Sequence, residues 1–208
     1  MPFDFLVPAL VTLLVVVDPI GVVPAFIGVT DGLPRAARRA VALRACLIAA
    51  GILAGTALIG DWLLRALSIT LPAFRIAGGL LLFYISAEMA FGVRTVRQTQ
   101  QAEEAIEEHV RNIAAFPLAI PLMAGPGAIT ATVLLAGRAH GDPLRLALLL
   151  VVIALVIAIC LVTFYAASRI SRWLGVTGNI VLSRLLGVIL AALAVQYVID
   201  GARLAMAG

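Results

Sequence analysis

The most constraining feature of this chain is a carboxylate beside a proline inside a long apolar run. Asp18-Pro19-Ile20-Gly21 lies in the middle of the run from Phe5 to Thr30. At ~1.5 Å per residue, such a helix is long enough to cross a ~30 Å hydrocarbon core, with Asp18 near the midplane. Pro19 lacks an amide hydrogen and Pro24 follows, so we predict two half-helices. A broken backbone and a charge at this depth need surrounding protein or water, which makes the break a candidate binding site.

A second apolar run has a similar interruption. The uncharged stretch from Ile113 to Gly137 contains Ala124-Gly125-Pro126-Gly127-Ala128 near its centre. Paired broken helices are typical of transporters whose substrate site lies between two halves. We therefore expect the two breaks to lie together.

Composition places the whole chain in a membrane. Of its 208 residues, 63% are hydrophobic and only 12% are charged, and the mean hydropathy is +1.13. These values indicate an all-α, multi-pass membrane protein rather than a soluble domain. We predict six spans, approximately Phe5–Thr30, Val41–Gly60, Ile69–Phe91, Ile113–Gly137, Leu146–Ala167 and Leu174–Ile199.

The third and sixth spans share spaced residues. A displacement of 109 residues carries Arg75, Gly78, Leu81 and Gly92 onto Arg184, Gly187, Leu190 and Gly201. Because each half has three spans, a repeated half must be inserted upside down. We predict one membrane domain over residues 1–208, built from inverted repeats 1–93 and 113–208 and a charged cytoplasmic linker 94–112. The first and fourth spans are the ones predicted to break near the midplane.

Arginine placement predicts the orientation. The loops after spans one, three and five hold nine arginines, and the opposite face holds four. The positive-inside rule puts the arginine-rich face in the cytoplasm and both termini on the other side of the membrane. The arginines are spread between spans rather than gathered in a basic patch, so nucleic acid is not an expected partner.

Asp18 has three candidate roles. Its carboxylate could bind a substrate ammonium, take part in H+ or Na+ coupling, or cap the second half of its own helix. At the other break, Gly125, Pro126 and Gly127 predict either a packing kink or a half-helix start near Ala128 whose amides bind an anion; we favour the second. Thr130 could add a hydroxyl or bond to its own backbone.

Three charged residues inside spans are harder to assign. Arg75 and Arg184 either extend to the membrane interface or, as we prefer, hold span ends against the broken helices. Glu88 either reaches the interface or faces the interior as a second candidate for ion coupling. The predicted substrate site comprises Asp18, Pro19, Ile20, Gly21, Gly125, Pro126, Gly127, Ala128 and Thr130.

No hydrolytic or phosphate-binding motif is found, so an enzyme is not predicted, and neither is a cofactor or a resident metal. Two other functions stay open. A cation or metal exporter would use Asp18 and Glu88 as ligands, and a membrane scaffold would use small-residue packing such as Gly51-Ile52-Leu53-Ala54-Gly55.

Three ordered motifs resemble those of the MarC family of bacterial integral membrane proteins. They are Asp18-Pro19-Ile20-Gly21 with Pro24, the stretch from Phe74 to Leu82, and Pro117-Leu118-Ala119-Ile120-Pro121 with the stretch from Ala124 to Ile129. The resemblance implies six spans in the inner membrane, kinship with LysE-type exporters and transport of small neutral amino acids such as alanine, glycine, serine and threonine.

We therefore expect a secondary transporter or exporter that works by alternating access. Its expected partners are a small neutral amino acid, a coupling H+ or Na+ and membrane lipid, and a homo-oligomer stays open. Asp18 would lie nearer the substrate ammonium, and the Gly125–Gly127 turn nearer the carboxylate.

Overall fold

The computed structural model describes residues 3–94, 96–98, 100, 112–139 and 142–207. All regular structure in those ranges is helical. Most of the predicted acidic linker, including Glu103, Glu104, Glu107 and Glu108, lies outside the described residues.

Eight helical elements follow one another along the chain. They are α1 (Phe3–Val17), α2 (Val23–Val29), α3 (Arg35–Ala66), α4 (Leu71–Ala90), α5 (Ala114–Met123), α6 (Pro126–Arg138), α7 (Pro143–Tyr165) and α8 (Ala167–Ala207). Two of them are irregular. In α5 the backbone is extended at Phe116 and Ile120, and α8 is interrupted at Gly175.

Local sequence signals set several helix boundaries. The Thr70 hydroxyl accepts the Ala73 amide at the start of α4, and the Asp142 carboxylate accepts the Leu144 amide at the start of α7. Both are favoured N-cap residues, and a proline follows each within two residues. After α4, Gly92 adopts a left-handed conformation with φ of +77°, as is common just past a helix end.

Helices α4 and α8 pack along a seam of glycines. A methyl group on Gly79 would lie 2.8 Å from the Ala194 carbonyl oxygen, and one on Gly187 would lie 2.9 Å from the Ser86 carbonyl oxygen. Near the other end of α8, one on Gly201 would lie 2.9 Å from the Pro72 carbonyl oxygen. Small residues are needed at these positions because the two backbones approach closely, as in many membrane helix pairs.

The remaining helices pack against one another, and some of them also pack against this pair. Helix α3 packs against α7, α1 packs against α6 and α7, and α6 packs against α3 and α4. The short α2 contacts α7 and α8, and the Phe26 ring stacks on Phe164 with centroids 4.3 Å apart.

Several helices are long and apolar enough to be membrane spans. Among the described residues four qualify alone, and the pair α5 and α6, bent by 57°, makes a fifth. The predicted first span is divided into α1, with 15 residues, and α2, with 7. Neither is long enough to cross alone, so the structure supports an all-helical protein with four to five spans.

Charged contacts show which helix ends lie together. We call one end of the bundle the linker end: there Arg38 of α3 donates to the Thr30 carbonyl after α2, and Arg39 lies over the Tyr165 ring at the end of α7. We call the other the terminal end: there Arg138 of α6 pairs with Asp200 of α8. The arginine-rich loops after the predicted spans one and five therefore share one end of the bundle.

Candidate functional site

The first break is built around the Asp18 carboxylate. Helix α1 ends at Val17, and Asp18 takes a left-handed conformation with φ of +52°. Its Oδ1 accepts the Gly21 amide at 3.0 Å, and its carbonyl oxygen accepts the Val22 amide at 3.2 Å. A Cβ on Gly21 would collide with the carboxylate. Asp18 therefore caps the turn between the two helices, whereas the N-cap of α2 itself is Val22, which has no side-chain cap.

The other carboxylate oxygen ties this break to α8. Ser183 donates its hydroxyl to Asp18 Oδ2 at 3.3 Å, and Asp18 is only 2% exposed. Arg94, which follows α4, donates to the Val16 carbonyl at 2.7 Å and interacts electrostatically with Asp18. The carboxylate is thus enclosed by protein groups on two sides.

The position of Ser183 shows where the first break lies along the bundle. Ser183 is six residues after Thr177, where the apolar span Thr177–Met206 of α8 begins. At ~1.5 Å per residue this is about 13 Å from the middle of that span. The Asp18 turn therefore lies toward the linker end of α8 rather than at its midpoint.

The second break exposes backbone rather than a carboxylate. Gly125 is extended and is the N-cap of α6, Pro126 starts the helix, and the Ile129 amide donates to the Gly125 carbonyl at 3.0 Å. The amides of Gly127 and Ala128 are the first donors of α6, because Pro126 has none. They stand at the positive end of the helix dipole, where anions bind favourably.

Both glycines of this break lie in close contact with neighbouring groups. A Cβ on Gly125 would collide with the Pro121 carbonyl oxygen, and one on Gly127 would collide with the Ile85 side chain and lie 3.3 Å from Val16. Val16 is two residues before Asp18, so the end of α1 contacts the second break. The end of α1 that precedes the first break therefore lies against the second break.

A cavity of about 240 Å³ opens beside the second break. We call it the linker-end cavity. Val16 of α1 and Leu81, Ile85 and Glu88 of α4 form its sides, and the turn Gly125–Ala128 forms another wall. The remaining lining residues are Tyr84, Arg94, Arg97, Gln98, Pro121, Leu122 and Met123. The lining is thus mostly apolar, with charged and amide side chains near the linker.

Glu88 lines this cavity from α4. Its side chain is 12% exposed and accepts a hydrogen bond from Arg97 at 2.9 Å. Glu88 therefore lines the same small cavity as Gly127 and Ala128, the residues that carry the first amides of α6. Glu88 thus lies at the linker end of α4, between the cavity and Arg97.

The other residues predicted for the site lie elsewhere in the bundle. Asp18, Pro19, Ile20 and Gly21 form the capped turn and do not line the linker-end cavity. Thr130 is buried, with its methyl group against Gly78. The Arg184 guanidinium lies beside Gly92, and Arg75 lies at the terminal end beside Gly201, where it lines a space together with Phe5 of α1 and Leu135 of α6.

Arg94 and Ser183 are site residues that the sequence did not single out. Arg94 is the first residue of the predicted charged linker, and Ser183 is 165 positions from Asp18. The one sequence signal for the position of Arg94 is Gly92. A left-handed glycine just after a span turns the chain, and here it directs Arg94 back toward the bundle. Within the described residues no group of three His, Cys, Asp or Glu side chains is arranged to hold a metal ion.

Comparison with known proteins gives the family. The model of the family described as MarC family integral membrane protein matches residues 3–206. The chain belongs to the MarC family. A UPF0056 membrane protein of Methanocaldococcus jannaschii is 36% identical over 205 residues, which cover 98% of each chain. The UPF0056 membrane protein YhcE of Escherichia coli is 37% identical and covers 96% of this chain and 93% of its own.

Similar relatives occur in other organisms. The UPF0056 membrane protein YvbG of Bacillus subtilis is 35% identical over 94% of this chain and 92% of its own. No solved structure matches the chain. The MarC assignment and the apolar helices together establish a multi-pass integral membrane protein.

Proposed function

We propose that this MarC protein is a secondary transporter or exporter of small neutral amino acids of the alanine, glycine, serine and threonine class. The observation that carries the proposal is the linker-end cavity, which is lined both by Glu88 and by Gly127 and Ala128 at the uncapped start of α6. An amino acid is a zwitterion and needs both kinds of partner.

The two charges of an amino acid have separate partners in this arrangement. The Gly127 and Ala128 amides would bind the carboxylate, because a helix N-terminus favours negative charge. Glu88 would bind the ammonium, in place of the Asp18 role that the sequence suggested. Glu88 already contacts Arg97, so the arginine would keep the carboxylate oriented while the ammonium uses a free lone pair.

The size of the cavity supports a small substrate. Its volume of about 240 Å³ is below the ~300–1,000 Å³ typical of pockets for drug-sized ligands. Its walls near the break are glycine, alanine and proline, with Ile85 and Val16 packed against Gly127. A methyl or hydroxymethyl side chain suits this space, whereas a large one would meet the walls.

Two contacts between α4 and α8 support an inverted repeat. Gly201 lies against Arg75, and Gly92 lies against Arg184. These pairs correspond to each other under the displacement of 109 residues, which carries Arg75 onto Arg184 and Gly92 onto Gly201. With α1 and α2 as one broken crossing, the chain would have six spans in two inverted halves, and a rocking motion between them would give alternating access.

Asp18 and Arg94 are the groups that we propose for coupling. An interior carboxylate in a span is expensive unless it has a function, and binding of H+ or Na+ would change its interaction with Arg94. The arginine-rich linker end would face the cytoplasm, with both termini on the outer side of the inner membrane.

The test is exchange of labelled for unlabelled alanine in proteoliposomes. We expect exchange with the natural sequence and a loss of about tenfold to a hundredfold for Glu88→Gln, since a charged hydrogen bond to the ammonium is removed. Asp61→Asn is the matched control, because Asp61 pairs with Arg65 on α3 and does not line the cavity. If folded protein exchanges none of alanine, glycine, serine or threonine, the substrate assignment is wrong, and divalent cations would be tried next.

A further inference from the structure

A second cavity, of about 350 Å³, opens at the opposite end of the bundle. We call it the terminal-end cavity. Its lining includes Phe5 and Pro8 of α1, Arg75 of α4, Arg138 of α6 and Arg145 of α7. Asp4 brings a carboxylate to the same space. Three guanidinium groups thus surround a cavity to which the sequence and the comparisons assign no function.

The two cavities lie along the same interface of α1, α4 and α6. On α1 they are lined by Pro8 and Val16, and on α6 by Leu135 and Ala128. These pairs are eight and seven residues apart, or about 12 Å and 10 Å at the helical rise of ~1.5 Å per residue. Both cavities therefore face one three-helix seam, from opposite ends.

The seam between the cavities is closed by packing on Gly78. A Cβ on Gly78 would lie 2.7 Å from the Thr130 methyl group and 3.0 Å from a Leu134 methyl group. Gly78 and Thr130 are both between the two sets of lining residues along their helices. A solute that passes through this seam would leave one cavity and enter the other.

Arg75 differs from the other two arginines of the terminal-end cavity. Arg138 lies 3.5 Å from an oxygen of Asp200, and Arg145 lies 3.2 Å from an oxygen of Asp142. The Nε of Arg75 is buried, and within the part of the chain that the structure describes it meets no hydrogen-bond acceptor. A buried donor without an acceptor is costly, and more so on a charged group inside a span.

We infer that Arg75 binds the carboxylate of the transported solute in the terminal-end cavity. Arginine suits this role because its planar guanidinium can bind both carboxylate oxygens. The base of the side chain is already fixed, since Arg75 Cβ lies 3.1 Å from the position a Cβ would occupy on Gly201 of α8. The inference rests on the proposed function and assigns this cavity as the second substrate site of the same pathway.

The test measures the half-saturating alanine concentration separately from each side, in cells and in inside-out membrane vesicles. For Arg75→Gln we expect that concentration to rise about tenfold to a hundredfold on the terminal-end side only, the range for one lost charged hydrogen bond. Arg75→Lys should restore part of the affinity, because it keeps the charge without the planar fork. Arg65→Gln is the matched control, since Arg65 pairs with Asp61 outside this cavity.

A second readout identifies the group that Arg75 recognises. Alaninamide lacks the carboxylate, so an excess of it should compete weakly with labelled alanine at the terminal-end side, and equally so in the natural protein and in Arg75→Gln. Unlabelled alanine should compete better in the natural protein than in Arg75→Gln. The thermal unfolding midpoint of Arg75→Gln in detergent should equal or exceed that of the natural protein, because a guanidinium with an unfilled donor is removed. A structural arginine would instead lower that midpoint.

The possible failures are distinguishable. Absence of alanine exchange by the natural protein would reject the proposed function. Normal exchange with an unchanged terminal-end half-saturating concentration in Arg75→Gln would reject the role of Arg75 alone. If the defect of Arg75→Gln disappears in vesicles without anionic lipid, Arg75 serves a lipid phosphate rather than the solute, and the inference is overturned.

Discussion

The two helix breaks interrupt their apolar runs with proline and glycine, but their polar groups are used differently. At the first break the Asp18 carboxylate is occupied by the Gly21 amide and the Ser183 hydroxyl, and the turn does not line the linker-end cavity. At the second break no side chain caps α6, and the turn Gly125–Ala128 forms a wall of that cavity. The first break is closed by its own side chain, whereas the second presents its backbone to a cavity.

This difference indicates that a charge within a span is not by itself the best guide to a substrate site. The carboxylate of Asp18 is conspicuous in the sequence, yet its oxygens hold the turn and α8 together. The second break has no charge, yet the residues that carry the first helical amides line a cavity. Substitutions at the two breaks should therefore affect exchange and stability differently.

The largest effect is expected at the second break. Gly127→Val would force a side chain into Ile85 and Val16, fill the wall of the cavity and displace the first amides of α6. We expect alanine exchange to fall at least ~100-fold, because small displacements of a binding group have effects of this size. Gly55→Val is the matched control, since a Cβ on Gly55 meets no atom within 4 Å. Equal activity of the two variants would remove the second break from the site.

The next largest effect is expected at the first break, where two substitutions separate the structural role of Asp18 from the role of its charge. Asp18→Ala leaves the Gly21 amide without its acceptor and places alanine in a left-handed conformation. We expect a loss of about 2–4 kcal/mol of unfolding free energy. Asp18→Asn keeps an acceptor and tolerates that conformation, so its loss should stay within about 1 kcal/mol. Denaturation in detergent measures both.

Alanine exchange by Asp18→Asn tests whether the charge of Asp18 is needed for transport. Asp18→Asn should fold and yet exchange alanine about tenfold more slowly or worse, because the charge that faces Arg94 is removed. Full exchange by Asp18→Asn would show that this break has only a structural role.

The smallest effect is expected at the link to α8. Ser183→Ala removes one hydrogen bond of 3.3 Å, while the Gly21 amide still holds the other oxygen of Asp18. We expect a loss of about 0.5–1.5 kcal/mol in unfolding free energy, with exchange reduced less than in Asp18→Asn. A larger loss than in Asp18→Ala would show that α8, rather than the turn, stabilises this carboxylate.

Much of the helical arrangement could be predicted because its causes are local. Pro19 and Pro126 break apolar runs wherever they fold, and Gly125 and Gly127 on either side of Pro126 indicate close backbone approach. That Glu88 lines a cavity could not be predicted, because spacing along α4 does not show which helix covers each face. Boundaries were less accurate: α3 covers Arg35–Ala66, whereas the apolar run suggested Val41–Gly60.

Contacts between distant parts of the chain could not be predicted. The Ser183 bond to Asp18 and the Arg94 bond to Val16 join residues 165 and 78 positions apart. The depth of the first break in the membrane depends on the position of α1 along the axis of α8. The hydrophobic pattern of one helix does not determine that position. The terminal-end cavity forms where the ends of α1, α4, α6 and α7 meet. The position of Arg75 in this cavity therefore could not be predicted from the sequence either.

The central claim is that a small amino acid occupies the linker-end cavity, and substrate protection of a cysteine tests it directly. Tyr84 lines that cavity and is 59% exposed, and the natural Cys46 and Cys160 are buried and can be replaced by alanine. In that background we predict that saturating alanine slows maleimide labelling of an active Tyr84→Cys variant and leaves Arg172→Cys, exposed outside the cavity, unchanged. Equal labelling of Tyr84→Cys with and without alanine, while exchange persists, would contradict the claim.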